Sequence, residues 1–367
     1  MLFKKSFEDF ELAKSRQRIL HICRQDKFTR PFIDIIEESF DPKDHMFWIK
    51  GDEAYTIPNK ANYIFYMKKS VIGQLTGYLL LIFLMAKAEK IILHSLLSGK
   101  VTFLLFTMPW VLKKSYWVIW GSDLYAYNAA RKSFSSKIWE RIRHSVIRNI
   151  GHLVTYIPGD VKAAKKWYHA RGEHHECFMY TNNTINRYVK NLAHIKQENS
   201  SQPSILLGNS GDPSNEHLEM FKIIHQNSDK LSKIILPLSY GKASYIMNIR
   251  KKGFEYFREK FHPLDKFMDY QNYISLLSEV DIALFNHKRQ QAMGTTITLL
   301  ALGKTLYLRP DTNQWNFLAD LGVTVKNIND AGKLTPLDEA TRRKNMMLVH
   351  THFSISRLIA QLDNLFS

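Results

Sequence analysis

At 367 residues the chain is longer than one ordinary hydrophobic core requires, and it predicts two domains of about 150–200 residues each. Its 45% hydrophobic and 13% aromatic content excludes a disordered chain, and its two cysteines, Cys23 and Cys177, exclude a disulfide framework or a cysteine-rich zinc module. The 51 Lys and Arg against 34 Asp and Glu leave a formal net charge of +17, which predicts a polyanionic partner, either nucleic acid or an anionic membrane.

The opening string MLFKKSFEDFELAKSRQRIL carries Glu8, Asp9 and Glu11 and no continuous apolar run, so no secretory leader is expected and the reducing cytoplasm is the predicted compartment. RILHIC (18–23) reads as a strand, PFIDIIEES (31–39) as a helix, and MFWIK (46–50) and NYIFYM (62–67) as strands. VIGQLTGYLLLIFLMA (71–86) is the most apolar segment, with Lys68 and Lys69 before it and Lys87 and Lys90 after it. A bilayer span needs about 20 apolar residues, so this segment reads as a buried core helix rather than an interfacial one, although its basic flanks suit anionic headgroups.

IILHS (91–95), SYWVIW (115–120), GHLVTYI (151–157) and HECFMYT (175–181) continue as short buried strands, and Asp160 stands where it could cap a helix. Much of the positive charge lies here: Lys113, Lys114, Arg131, Lys132, Lys137, Arg141, Arg143, Arg148, Lys162, Lys165, Lys166 and Arg171. Taken singly, such clusters also fit a solvated surface. NLAHIKQENSSQP (191–203) lacks any strand or core pattern and reads as an interdomain connection.

The pattern then restarts. SILLG (204–208), a helix near 215–226, SKIILPL (232–238), a helix over 245–257, a short segment ending near Met268, a helix over 272–280, VDIALFN (280–286), a helix from about 291, TLYLR (305–309) and a helical tail alternate without any repeat. The expected fold is α/β, two doubly wound Rossmann-like domains facing a central cleft. The expected division is a first domain with a basic, membrane-facing surface at 1–188, a linker at 189–203, a second domain at 204–349, and a C-terminal helix at 350–367 packing back towards the first domain.

Open α/β sheets bind ligands beyond the carboxyl ends of their strands. GNSGD, Gly208 to Asp212, falls there: two glycines permit close backbone approach, and Asn209 and Ser210 offer donors and acceptors. A tight turn in which Asp212 or Ser214 caps the next helix would use the same residues. In FNHKRQQAMGTTITLLALGKTLYL (285–308) a strand is followed by Lys288 and Arg289, and Gly294, Thr295 and Thr296 stand near a helix start, where unpaired amides favour phosphate.

WVIWGSDLY (117–125), LLGNSGDPSNEHL (206–218), ILP (235–237) with Tyr240, and RQQAMGT (289–295) together resemble the bacterial 4-acetamido-4,6-dideoxygalactose (Fuc4NAc) transferases, glycosyltransferase family 56, which have the GT-B fold. The resemblance runs with gaps from about residue 18 to 356; it departs in the middle of the first domain and at Ala292 and Met293. It implies transfer of a Fuc4NAc-like deoxy-amino sugar from a dTDP- or UDP-sugar to a polyprenyl-diphosphate-linked glycan in surface polysaccharide synthesis resembling that of enterobacterial common antigen. The setting it implies is peripheral attachment to the anionic cytoplasmic face of the bacterial inner membrane, with no nucleic acid partner. The donor-binding residues it implies are Gly208, Asn209, Ser210, Gly211, Asp212, Asn215, Glu216, His217, Pro237, Tyr240, Arg289, Gln290, Gln291, Gly294 and Thr295.

Such chemistry needs a stabilised diphosphate leaving group and, for inversion, a base for the acceptor hydroxyl. His21, Asp26, His94 and Asp123 stand near strand ends of the first domain and match the family pattern; each also has a structural reading, Asp123 as a helix cap and His94 as a satisfied core histidine. No Asp-x-Asp tripeptide occurs, so metal-independent transfer without a further cofactor is expected. Two other readings stand beside this one: a nucleotide-sugar epimerase or hydrolase of the same fold, and a basic nucleic-acid-binding protein, for which no recognition module is evident.

Overall fold

The computed structural model describes residues 18–51, 64–67, 70–128, 134–193 and 202–367. Glu8, Asp9 and Glu11, the start of the 62–67 strand, Lys68, Lys69, Arg131, Lys132 and positions 194–201 of the expected connection lie outside the described residues.

The chain divides into two units, one running to Thr181 and including Leu358–Ser367, the other comprising Asn182–Arg357. Unit 1 is built on β1 (Ile19–Arg24), α1 (Thr29–Ser39), β2 (His45–Lys50), β3 (Ile64–Tyr66), α2 (Val71–Lys87), β4 (Lys90–Leu93), α3 (Gly99–Thr107), β5 (Ser115–Val118), α4 (Phe134–Asn149), β6 (His152–Val154), α5 (Pro158–Tyr168) and β7 (Glu173–His175). Its strands form one parallel sheet in the order β3-β2-β1-β4-β5-β6-β7, so strand order reverses between β1 and β4. β1, β2, β4 and β5 are nearly continuous apolar runs because helices cover both faces of such a sheet. Trp48 and Trp117 are fully buried in it, and the Trp48 indole donates to the Gly77 carbonyl (3.0 Å).

Unit 2 contains α6 (Arg187–Ala193), β8 (Ile205–Leu207), α7 (His217–His225), β9 (Ile234–Pro237), α8 (Ala243–Phe257), β10 (Phe261–Leu264), α9 (Tyr270–Glu279), β11 (Ile282–Phe285), α10 (Met293–Ala301), β12 (Thr305–Leu308), α11 (Asn313–Asp320), β13 (Lys326–Asn327) and α12 (Glu339–His352). Its parallel sheet runs β10-β9-β8-β11-β12-β13 and reverses between β8 and β11. The last helix, α13 (Ile355–Phe366), returns the chain to unit 1, where Gln361 accepts from the Phe178 amide (3.1 Å) and Lys90 donates to the carbonyls of Leu365 and Phe366.

Four local expectations differ from the structure. The edge strand is Glu173–His175 rather than 175–181; the apolar residues 177–180 are buried without joining the ladder, and Met179 has positive φ. Asp160 is no cap, because Pro158 already starts α5 and Asp160 lies buried inside it, accepting from the Tyr125 hydroxyl (3.2 Å). A helix, α6, occupies the stretch where the connection was expected to begin. Finally, α2 is only half a core helix. Leu80, Leu81, Leu84 and Met85 are buried, but Val71, Ile72, Leu75 and Leu79 are 85, 76, 63 and 55% exposed.

Candidate active site

In unit 2 the loops leaving β8 and β11, the strands at which order reverses, meet. Asn215, buried, ties the first loop together: its Oδ1 accepts from the Asn209 amide (3.1 Å), and its Nδ2 donates to the carbonyls of Ser210 (3.1 Å) and Asp212 (3.2 Å). Gly208 has φ +64, and a Cβ there would stand 2.5 Å from His217 Nε2, so only glycine fits. Gly211 bridges to Gly241 in the loop after β9, beyond Pro237, and the exposed Tyr240 returns its hydroxyl to the Asn209 carbonyl (3.1 Å). Asp212 is the cap, accepting from the Ser214 amide (2.9 Å), but it caps the short turn Pro213–Asn215 rather than the helix. Burial pushes its carboxyl up, while Ser214 and the positive charge of Arg289 pull harder, so it lies below the ordinary carboxylate range. Helix α7 starts after Glu216, which is left-handed at φ 52 and carries no side-chain cap.

The β11 loop closes on the first. Gln291 Nε2 donates to Asn209 Oδ1 (2.6 Å), Ser214 Oγ donates to Gln291 Oε1 (3.1 Å), and Lys288 pairs with Glu216 (2.9 Å). Arg289 donates to the Gln290 carbonyl (3.3 Å). Helix α10 follows a left-handed Ala292, and no side chain caps its N-terminus. The close approach at Gly294 is made by Asn182, whose carbonyl oxygen would be 2.6 Å from an added Cβ. Thr295 faces the Tyr273 hydroxyl (3.4 Å), whereas Thr296 is buried and accepts from Gln314 Nε2 (2.8 Å).

His287 went unnoticed in the sequence. With Gln314 Nε2 committed to Thr296, Gln314 Oε1 accepts from His287 Nε2 (3.2 Å), which leaves His287 Nδ1 as a bare acceptor. His287 Nδ1, His217 Nε2 and Gln290 Oε1 are buried polar atoms without hydrogen-bond partners, all on residues of these two loops and the helix start beside them. Burial holds both histidines neutral, at about 4.

In unit 1 the four candidates separate by their bonding. His45, His21 and His94 lie diagonally across β2, β1 and the end of β4 on one sheet face, following the register Ile19↔His45 and Leu93↔Ile22. His45 Nδ1 meets His21 Nε2 (2.9 Å), His21 Nδ1 meets His94 Nε2 (3.1 Å), and His94 Nδ1 meets the Tyr180 hydroxyl (2.7 Å), which accepts from the donor-only Trp120 indole (3.0 Å). A single direction of donation, Tyr180 to His94 to His21 to His45, satisfies every ring as a neutral imidazole. Both nitrogens of His21 and of His94 are therefore engaged.

Asp123, fully buried, is engaged too. Its Oδ2 accepts from the Trp117 indole (2.8 Å) and the Leu96 amide (3.0 Å), and its Oδ1 from the amides of Trp120 and Leu124 (both 3.0 Å). It fastens the loops after β4 and β5 and has no oxygen left for a substrate. Asp26, half-buried in the loop after β1, is different. Its Oδ1 accepts from the amides of Phe28 (2.9 Å) and Thr29 (3.2 Å), while Oδ2 takes part in neither bond. Burial raises its pKa above the ordinary value against those bonds.

The folds of solved proteins agree with this architecture. OtsA in its apo form matches at 11% identity with a TM-score of 0.65, covering 95% of this chain and 99% of that one. A trehalose-6-phosphate protein from E. coli bound with UDP-2-fluoro glucose matches at 11% and 0.63, covering 95% and 98%. WaaG, a glycosyltransferase involved in lipopolysaccharide biosynthesis, matches at 12% and 0.59, also covering 95% and 98%. These likenesses show a GT-B fold. The sequence itself matches, over residues 64–351, the family described as 4-alpha-L-fucosyltransferase glycosyl transferase group 56. This chain belongs to that family and is a nucleotide-sugar-dependent hexosyltransferase.

Proposed function

We propose that unit 2 holds a dTDP- or UDP-linked deoxy-amino sugar of the Fuc4NAc type and that the acceptor is a polyprenyl-diphosphate-linked glycan of surface polysaccharide synthesis. The observation that carries the donor reading is the pair of interlocked loops after β8 and β11, with Arg289, three unpartnered buried polar atoms and the uncapped start of α10. Helix amides and a guanidinium supply what a departing diphosphate requires, which makes a divalent metal unnecessary for the transfer. The test is thermal shift with dTDP-, UDP- and GDP-sugars: stabilisation by dTDP- or UDP-sugars sustains the donor site, and stabilisation by none of the three removes it. Turnover should also persist in excess chelator; loss restored by magnesium or manganese would contradict the metal-independent reading.

Arg289→Ala should weaken nucleoside-diphosphate binding by about 1.5–3 kcal/mol, the worth of a hydrogen bond to a charged group. Calorimetric titration with dTDP checks this, and an unchanged affinity in a folded variant would make Arg289 an ordinary surface charge.

We propose further that unit 1 lies on the anionic cytoplasmic face of the inner membrane. Exposed apolar side chains of α2 (Ile72, Leu75), α3 (Phe103, Phe106) and α4 (Ile138, Trp139) accompany a cavity of 350 Å³ lined by Tyr78, Lys100, Phe103, Leu104 and Trp139. Exposed Lys113, Lys137 and Arg141 supply the charge, each worth about 1 kcal/mol near anionic lipid. Lys114 and Arg143 do not belong to this set. Lys114 caps the end of α2 through the carbonyls of Ala86 and Ala88, and Arg143 holds the Asp123 carbonyl. Among the described residues no helix is long and apolar enough to cross a membrane. Co-sedimentation with phosphatidylglycerol vesicles should fall on charge reversal at Lys113, Lys137 and Arg141, and the salt-resistant remainder should disappear in Ile72→Asp/Leu75→Asp. Binding unaffected by both sets would leave this surface without a membrane role.

A further inference from the structure

On the outermost strands of the unit 1 sheet, β6 and β7, a second set of chemical groups comes together. His152 opens β6, and Glu173 and His175 alternate along the edge strand β7, on one face by the register His152↔Glu173 and Val154↔His175. His152 Nδ1 and His175 Nε2 are 2.9 Å apart, and a Glu173 oxygen lies 3.9 Å from the first and 4.0 Å from the second. Both imidazoles are half-buried, while the carboxylate reaches in from a largely exposed position.

The His152 ring is also fixed from outside the trio. It stacks flat on Tyr116, with centroids 3.9 Å apart and planes at 8°. Gly151 lets the chain entering β6 pass close to the loop before β5, since a Cβ there would fall 2.0 Å from the Lys113 oxygen. The Lys90 ammonium, whose charge bears on both imidazoles, is held by the carbonyls of Leu365 and Phe366. His174, between the two β7 ligands, bonds the Thr155 carbonyl (2.8 Å).

We propose that His152, His175 and Glu173 bind one zinc-class divalent cation, with water completing the coordination, and that the ion clips the short edge strand β7 to β6. Two nitrogens on tetrahedral zinc stand about 3.3 Å apart, so the imidazoles need separate by only a few tenths of an ångström, and the flexible glutamate closes the remainder. Two imidazoles with one carboxylate suit zinc and its first-row neighbours rather than magnesium or calcium. The ion shares no residue with the donor loops or with Asp26, so its role is structural and independent of the proposed transfer.

The experiment uses tag-free full-length protein stripped with chelator and dialysed. Titration with Co²⁺ should give the visible bands of a tetrahedral site at one equivalent, Zn²⁺ should abolish them, and Zn²⁺ alone should raise Tm. His152→Ala and His175→Ala should lose both responses. Glu173→Gln, exposed and harmless to the fold, should weaken binding by more than the about tenfold to hundredfold cost of losing an outer partner, which decides the matter if a histidine variant does not fold. Wild-type protein without bands or a Tm response, or bands that survive in all three variants, overturns the site.

Discussion

Lowering the pH from 7 towards 4.5 should unfold this protein in a steep, cooperative transition. His45, His217 and His287 are held at about 4, His94 at about 3, and His21 well below the ordinary value, in every case chiefly by burial. Above the unfolded value of about 6.5 neither state is charged and these groups contribute nothing to pH dependence. Below it the unfolded chain takes up protons that the folded chain refuses, so stability falls with pH by about 1.4 kcal/mol per unit for each histidine. By pH 4.5 the three histidines of unit 1 cost about 8 kcal/mol and the two of unit 2 about 5 kcal/mol, each comparable with the stability of an ordinary domain, about 5–15 kcal/mol. Asp26, raised by burial, acts in the opposite direction, but it is one group against the three histidines of unit 1. Far-ultraviolet circular dichroism against pH checks the claim, and His287→Gln should shift the midpoint downwards. A folded signal that persists unchanged to pH 4 would contradict the buried neutral histidines.

Asp26→Asn should lower the rate constant for transfer by about 10²–10⁴-fold, the usual worth of a positioned base, while donor affinity and Tm stay close to the wild type. The substitution is clean because asparagine keeps an Oδ1 acceptor for the amides of Phe28 and Thr29 and removes only the basicity of the second oxygen. We propose Asp26 as the base because His21, His94 and Asp123 have no unengaged atom to offer. In the wild type, activity should rise with pH through a value above the ordinary carboxylate range, since the ionised form is the active one. Turnover within tenfold of wild type in the asparagine variant would end this assignment and return attention to the histidine chain.

The alternation of apolar strands and helices was readable because a buried parallel strand is a short continuous apolar run, and β1, β2, β8, β9, β11 and β12 all have that form. β7 was misplaced because its residues, Glu173 to His175, are polar: an edge strand satisfies its ladder with backbone alone. The donor loops showed themselves through Gly208, whose positive φ is a local demand, whereas the need for Gly211 comes from the distant Ile246 on α8. Which candidates are free to react was not readable, since saturation of Asp123 depends on the amide of Leu96 and the indole of Trp117, brought together only by the sheet. His287 was hidden for the same reason, its tautomer being fixed from Gln314 on α11. The exposed half of α2 looked like core because composition records how apolar a helix is and not which of its residues find a partner.

The return of the last ten residues to unit 1 bears on the order in which the protein is made. Phe366 packs edge-on against His21 and His45 and beside Phe40, and Lys90 grips the carbonyls that end α13. During synthesis the first unit therefore emerges lacking its final piece, while the whole of the second is translated. Its sheet waits with the His21–His45 pair uncovered until Phe366 has left the ribosome and packed against it.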